Sequence, residues 1–260
     1  MLMLLSPAKN LDFNPAPEAL APTKPGFSKD ADALASVARD LTRAKLKSLM
    51  SISDALADLN YERFQAFSTR ARKGTKPAAL AFNGDVYLGL EAKTLDADDL
   101  AFAQDHLRIL SGLYGLLRPL DAIMPYRLEM GSKLKNPVGE DLYDFWGDKI
   151  AKSLNKSAKP HADPTLVNLA SKEYFSAVDL GALKLPVITP VFKEEKDGRL
   201  RQLQFFAKRA RGLMARWAIQ NRVEHAEALK KFSVDGYKFR ASESDETTWL
   251  FARPQPPKKS

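Results

Sequence analysis

Between Arg199 and Arg222 the chain reads RLRQLQFFAKRARGLMARWAIQNR, with seven basic residues and no acidic one. Placed at 100° per residue from Phe206 onward, Phe206, Ala210, Leu213, Met214 and Trp217 share a face suited to a core. Lys208, Arg211 and Arg222 group on a second side, Arg209 and Arg216 share a flank, and Ile219 falls between the two basic groups. The spacing predicts a helix with five outward basic side chains. A merely solvated face normally mixes signs, because i,i+4 acid–base pairs stabilise a helix and like charges cost a few tenths of a kcal/mol each. An all-basic face lacks that compensation and points to an external anion. The planar guanidinium fork suits bidentate phosphate contact. The pattern alone leaves open whether the anion is nucleic acid or a small phosphorylated ligand, and a plain solvated stripe is the competing explanation.

A second set of polar residues falls in connecting segments, where packing does not call for them. Lys9 follows an apolar run, Asp85 and Tyr87 follow Asn83-Gly84, and Lys172-Glu173-Tyr174 follow another apolar run. Arg118, Asp121, Tyr126, Arg127 and Glu129 crowd into one proline-broken stretch. Gathered at converging strand ends, such residues suit a nucleotide or another phosphorylated substrate. An enzyme would then draw its catalytic groups from Lys9, Asp85, Arg118, Arg127, Glu129 and Lys172. The bland alternative for each is a buried ion pair or a turn former. No GxxxxGK loop, GxSxG elbow or HExxH helix is present. A pocket joining Lys9, Asp85, Arg127 and Lys172 would support catalysis, and separations beyond about 10 Å would remove most of that support.

Two absences narrow the chemistry further. With no cysteine, disulfides, thiolate nucleophiles and thiolate–metal sites are excluded. Three scattered histidines, His106, His161 and His225, do not make a zinc or iron site, so no metal and no cofactor is expected, although an all-oxygen Mg²⁺ site stays open. The formal net charge is +8. Its clustering, more than its total, favours a polyanionic partner.

The elements that must position these groups are interspersed strands and helices. MLMLL at the start is too short for a signal peptide or a membrane span and reads as a buried strand, so a cytoplasmic protein with no membrane partner is expected. Asn14–Ser28 carries four prolines and reads as a surface wrap. Lys29–Leu41 has helical spacing, Thr42 caps a helix to Met50, and Ser53 or Asp54 caps another reaching Phe67. Ala78–Leu90 reads as strand, Asn83-Gly84 turn and a further extended piece. Leu100, Ala103, Leu107, Leu110, Leu113, Tyr114 and Leu117 predict one long helix ending at Pro119. Leu142–Leu154 predicts a helix and Asn155–Pro164 a loop. Thr165–Ala170 and Pro186–Phe192 read as strands, Asp197-Gly198 as a hairpin turn, and Thr247–Ala252 as a closing strand. The sum is a single mixed α/β (α+β) domain over residues 1–252, with a disordered basic tail at 253–260.

Several strings together are more specific than any of these signals. SPAKNLDF (Ser6–Phe13), AFNGDVYLGL (Ala81–Leu90), HLRILSGLYGLLRPLD (His106–Asp121), PYRLEMG (Pro125–Gly131), DFWGDKI (Asp144–Ile150), NLASKEYF (Asn168–Phe175) and AKRARGLMARW (Ala207–Trp217) occur in this order. From Met1 to about Phe239 the chain resembles the YaaA family of bacterial peroxide-stress proteins. The resemblance implies a cytoplasmic role in the response to hydrogen peroxide, with protection of DNA and limitation of free iron. It also implies an unusual single-domain α/β fold with a central mixed sheet and peripheral helices. DNA, bound with little sequence specificity, would lie in a positively charged cleft, for which Lys208, Arg209, Arg211, Arg216 and Arg222 are the candidates. A helix-hairpin-helix element falls most naturally at 43–67, with Lys45 and Lys47 in support and Ser51 standing where the usual glycine is absent. With no cysteine and few histidines, an effect on iron is expected to be indirect. Protein partners are not indicated.

Overall fold

The computed structural model describes residues 1–15 and 21–257, so part of the proline-rich wrap (16–20) and the last three residues of the tail lie outside the described residues. Its centre is an eight-stranded sheet in the order β11-β12-β9-β8-β1-β5-β6, with β10 paired to β9. These strands are β1 (Leu2–Leu5), β5 (Leu107–Ser111), β6 (Gly115–Leu117), β8 (Leu166–Leu169), β9 (Val187–Lys196), β10 (Arg199–Arg201), β11 (Lys238–Phe239) and β12 (Thr248–Pro254). β5, β1, β8, β9 and β12 run parallel, and β6, β10 and β11 are antiparallel to their neighbours. β1 and β8 are wholly buried, which explains why both are unbroken apolar runs instead of alternating ones. Two short pairs, β2 (Asn10–Leu11) with β4 (Phe82–Asn83) and β3 (Lys76–Pro77) with β7 (Ala122–Ile123), tie the connecting segments together.

Around the sheet lie α1 (Ser28–Arg39), α2 (Arg43–Met50), α3 (Asp54–Ala66), α4 (Ala78–Ala81), α5 (Asp85–Leu90) and α6 (Ala97–His106). They are followed by α7 (Leu142–Trp146), α8 (Lys149–Ala158), α9 (Lys172–Phe175) and α10 (Gln204–Gln220). The expected local stops hold where they are made by neighbours in sequence. Thr42 caps α2 by accepting from the Lys45 amide at 3.3 Å, and Ser53, not Asp54, caps α3. The Asp197-Gly198 hairpin joins β9 to β10, both turn residues having positive φ.

Four expectations are corrected. The predicted long helix ending at Pro119 stops at His106, and its second half is the β5–β6 hairpin. β5 is buried on both faces, so its apolar run carries no period that separates strand from helix. Gly115, at φ +65°, turns the chain under Trp146, where a Cβ would strike the indole ring. Ala78–Leu90, expected as two extended pieces around a turn, is two short helices, α4 and α5, on either side of the two-residue strand β4. Gly84 is extended and starts α5 instead of turning a hairpin. Leu142–Leu154 is broken into α7 and α8 by Gly147 at φ +43°, and α8 consumes the first residues of the expected 155–164 loop. The tail begins later than residue 253. Arg253 and Pro254 complete β12 opposite Glu194 and Glu195, and Arg253 is 5% exposed between Glu194 and Asp235.

Candidate functional site

From β1 the chain passes to β5 on one side, and from β8 to β9 on the other. The strand order therefore reverses between β1 and β8, and in open α/β sheets the carboxyl ends at such a point leave a crevice for ligand. Ser6 follows β1 and Ser171 precedes α9, just beyond β8. The Ser171 amide donates to Ser6 Oγ at 2.8 Å, and Ser6 Oγ in turn donates to Ser171 Oγ at 3.3 Å. The Tyr87 hydroxyl donates to the Ser6 carbonyl at 3.0 Å. Burial raises the Tyr87 pKa well above the usual phenol value, so it stays a neutral donor. Over these groups opens a cavity of about 470 Å³ whose walls include Ser6, Lys9, Asp85, Glu129, Lys208 and Arg211.

Two sets of residues separate in sequence thus meet in one place. Of the candidate catalytic residues, Lys9, Asp85 and Glu129 line the cavity. Lys9 Nζ lies 2.7 Å from Glu129 Oε2, and Arg127 Nη2 donates to Glu129 Oε1 at 3.1 Å. Arg127 supports the wall from behind, and its Nε is buried without a partner among the described residues. Lys172 and Arg118 are not brought in. Lys172 is exposed on α9 outside the cavity, although Ser171, Glu173 and Tyr174 beside it do line the wall. Arg118 lies near the β6 edge, clamped on Asp121 at 3.1 Å.

α10 reaches the cavity because it crosses α5 at backbone contact. A Cβ on Gly212 would overlap the Val86 carbonyl oxygen, and one on Gly89 would overlap the Arg209 carbonyl oxygen. Only glycine at both positions permits this approach. The crossing sets Lys208 and Arg211 against the start of α5. It also corrects the expectation of five outward basic residues. Arg216 donates to the carbonyls of Leu90 at 3.1 Å and Glu91 at 2.9 Å, and so holds the end of α5. Arg222 pairs with Asp99 at 2.5 Å and lies 5.5 Å from the Phe102 ring centroid. The partners of both lie more than a hundred residues away, beyond the reach of a helical wheel. Lys208 and Arg209 are exposed and Arg211 is half-buried. Burial lowers the Arg211 pKa from its usual value. Among the described residues, no hydrogen bond or ion pair engages Lys208, Arg209 or Arg211.

Residues that sequence reasoning missed complete the surface. Phe205 is 54% exposed and Leu88 61% exposed, and both border a smaller hollow with Asp85 and Arg209. The doublet Phe205-Phe206 carries the signal, because one face of the helix can bury only one of two adjacent aromatics. Phe206 takes the inward role, stacked 4.7 Å from the Arg253 guanidinium. Ser6 and Ser171 each stand one or two residues beyond a buried strand, the position at which crevice residues occur.

The α2–α3 hairpin stands apart from this cleft. Ser51 adopts the left-handed conformation (φ 51°, ψ 53°) that glycine usually supplies, and the Ile52 amide returns to the Lys47 carbonyl at 3.2 Å. Lys45 is exposed, and Lys47 pairs with Asp54 at 2.8 Å. Among the described residues no group of three or more His, Asp or Glu side chains is placed to hold a metal, and no helix is long and apolar enough to cross a membrane.

Comparison with known proteins places this architecture. Residues 1–243 match the family described as peroxide stress protein YaaA. A UPF0246 protein of Caulobacter vibrioides (strain NA1000 / CB15N) is 61% identical over 257 residues, covering 98% of this chain and 100% of the relative. UPF0246 proteins of Phenylobacterium zucineum (58% identical, 99% and 96% covered) and Dinoroseobacter shibae (54%, 98% and 96%) are similar along the same length. With the switch-point cavity, the α5–α10 crossing and these full-length matches together, the chain belongs to the YaaA family of peroxide-stress proteins.

Proposed function

We propose that this peroxide-stress protein acts in the cytoplasm by binding nucleic acid, with little sequence specificity, in the cleft where α10 meets the β1–β8 switch point. One observation carries the reading: Lys208 and Arg211 in the cavity and Arg209 in the adjoining hollow make no ion pair among the described residues, beside the exposed Phe205 and Leu88. Phosphates supply the missing counter-charge, and an apolar shelf next to an arginine suits a base more than a bare inorganic anion. The α2–α3 hairpin is the second contact in this proposal. Its left-handed Ser51 and exposed Lys45 would offer backbone and ammonium donors to a neighbouring phosphate. Covering DNA in this way would protect it under peroxide, and limitation of free iron would follow indirectly, since the chain lacks cysteine.

Fluorescence anisotropy with single- and double-stranded oligonucleotides over a salt series tests the proposal. Lys208, Arg209 and Arg211 changed together to Ala should flatten the log K against log salt slope for duplex by about 2 to 3. Phe205→Ala should weaken single-strand binding by roughly 1–3 kcal/mol, the cost of one lost stacked base. Unchanged affinity in the triple variant, with its circular dichroism intact, would overturn the assignment. A second reading rests on the Lys9–Glu129–Arg127 chain sharing the cavity with Asp85, an arrangement suited to turnover of a phosphorylated small molecule. Release of phosphate from a nucleotide, abolished by Glu129→Gln and untouched by Phe205→Ala, would favour it.

A further inference from the structure

A second basic cavity, of about 560 Å³, lies along the β6 edge of the sheet and shares no wall residue with the cleft. Arg108 of β5 and Arg118 beyond β6 reach it from the sheet, and Lys149, Lys152 and Lys156 reach it from α8. Ile150, Ala151, Leu154 and Ala158 form the buried face of α8, so the lysine stripe taken alone is the solvent side of an amphipathic helix. Arg108 does not fit that explanation. It is 8% exposed and, among the described residues, has no carboxylate partner. Its Nη1 donates to the carbonyls of Gln104 (2.9 Å), Asp105 (3.2 Å) and Leu107 (2.8 Å), while Nε and Nη2 make no hydrogen bond among the described residues. Buried charges are ordinarily paired, whereas the Nε and Nη2 left over here are not fully buried and keep contact with solvent. Burial and the neighbouring Arg118 pull its pKa down to about 10.

Three of the acids nearby are already engaged, and a fourth, Asp105, acts on Arg108 through space without pairing with it. Asp121 accepts from Arg118 at 3.1 Å and from the Thr23 hydroxyl at 2.7 Å. Asp30 takes Lys149 and Asp148 takes Lys152, each at 2.6 Å. Against five cations these three paired carboxylates and the unpaired Asp105 leave an excess of one, and Arg108 and Lys156 are the residues without an ion pair among the described residues. Ser153 and Ser157 add hydroxyls between the lysines. From Lys149 to Lys156 the helix rises about 10 Å, too far for one phosphate to bridge and within reach of several linked ones.

We propose that this cavity binds a small ligand carrying adjacent phosphates, of the nucleoside polyphosphate or inorganic oligophosphate class, with Arg108 at its inner end and Lys152 and Lys156 at its mouth. The proposal is independent of nucleic-acid binding in the cleft. Calorimetric titration of the full chain with inorganic tripolyphosphate, and separately with ATP, tests it. One ligand should bind per chain, and Lys152→Ala with Lys156→Ala should weaken it about tenfold, the loss expected for two charge-assisted contacts. Lys231→Ala with Lys238→Ala, an exposed pair elsewhere, should leave it unchanged. Arg108→Gln, confirmed folded by circular dichroism, should weaken it as well. Absence of binding to the parent protein would overturn the proposal, as would equal loss in the Lys231/Lys238 control. Displacement of tripolyphosphate by duplex DNA, with duplex binding showing the same Lys152/Lys156 defect, would also overturn it by giving the cavity to nucleic acid.

Discussion

The two halves of α10 use the same residue type for different ends. In the first half Lys208, Arg209 and Arg211 face the cleft without acidic partners among the described residues. In the second half Arg216, and just past the helix end Arg222, are spent on the protein itself, on the carbonyls at the end of α5 and on Asp99. The division comes from what lies opposite. The first half crosses the start of α5 beside open space, and the second half runs against the end of α5 and the face of α6. A basic helix is therefore neither a binding element nor a structural one as a unit, and the assignment has to be made residue by residue.

The largest effect should come from removing what both halves share. Gly212→Val would drive a side chain into the Val86 carbonyl and force α10 away from α5. The expected cost is about 3 kcal/mol of stability, at the upper end for overpacking, because backbone cannot yield as a side-chain tip can. A chemical-denaturation midpoint would show it. A midpoint near that of the parent protein would mean that the crossing is looser than described and that the contrast between the halves loses its physical basis.

A smaller, crossed effect separates the halves directly. Arg222→Ala removes the pair with Asp99, a bond to the Ile219 carbonyl and the contact over Phe102. It leaves a mostly buried carboxylate unpaired and should cost about 1–2 kcal/mol, with nucleic-acid affinity of the folded protein unchanged. Arg209→Ala should do the reverse, leaving stability within about 0.5 kcal/mol while weakening binding. Paired denaturation and anisotropy measurements would decide it, and equal behaviour of the two variants would erase the distinction.

How much of this the sequence discloses depends on the range of the interaction. Caps made by Thr42 and Ser53 are legible because donor and acceptor lie three residues apart. The buried face of α10 is legible only in part: Ala210 and Met214 are buried as the helical period predicts, whereas Phe206, Leu213 and Trp217 are half-buried and Ile219, read between the basic groups, is fully buried. The tasks of Arg216 and Arg222 are not legible, because Leu90 and Asp99 are over a hundred residues upstream. Ser6 and Ser171, 165 residues apart, become a site only once the strand order is known. β5 is misread for a different reason: burial on both faces erases the period that distinguishes strand from helix. The positions of Lys9, Asp85 and Glu129 in one wall are foreshadowed by their polar character after strands and turns, whereas Lys172 and Arg118 share that character and lie elsewhere.

The smallest effect concerns what the structural half of α10 rests on. Arg222 lies over Phe102, Phe102 stacks on His106 at 3.9 Å between centroids, and His106 meets His161 edge-on at 4.4 Å. Burial lowers the His161 pKa to about 4, with His106, the Met1 ammonium and Arg108 adding to the effect and Asp105 opposing it. His106 is lowered as well, again chiefly by burial. Above the ordinary histidine value of about 6.5, both folded and unfolded chains hold these rings neutral, and stability does not depend on them. As pH falls from there toward about 4, the unfolded chain takes up protons that the folded chain refuses, so stability should fall through that window. Asp163, also lowered, acts in the same direction only near and below the carboxylate range. His161→Gln should flatten the difference between denaturation midpoints at pH 7 and pH 5, and partial exposure of the ring keeps that difference modest. His106 and His161 line neither hollow of the cleft, so affinity per folded molecule should stay level while stability declines. If affinity instead followed stability downward in His161→Gln and parent alike, the two halves of α10 would be one cooperative unit after all.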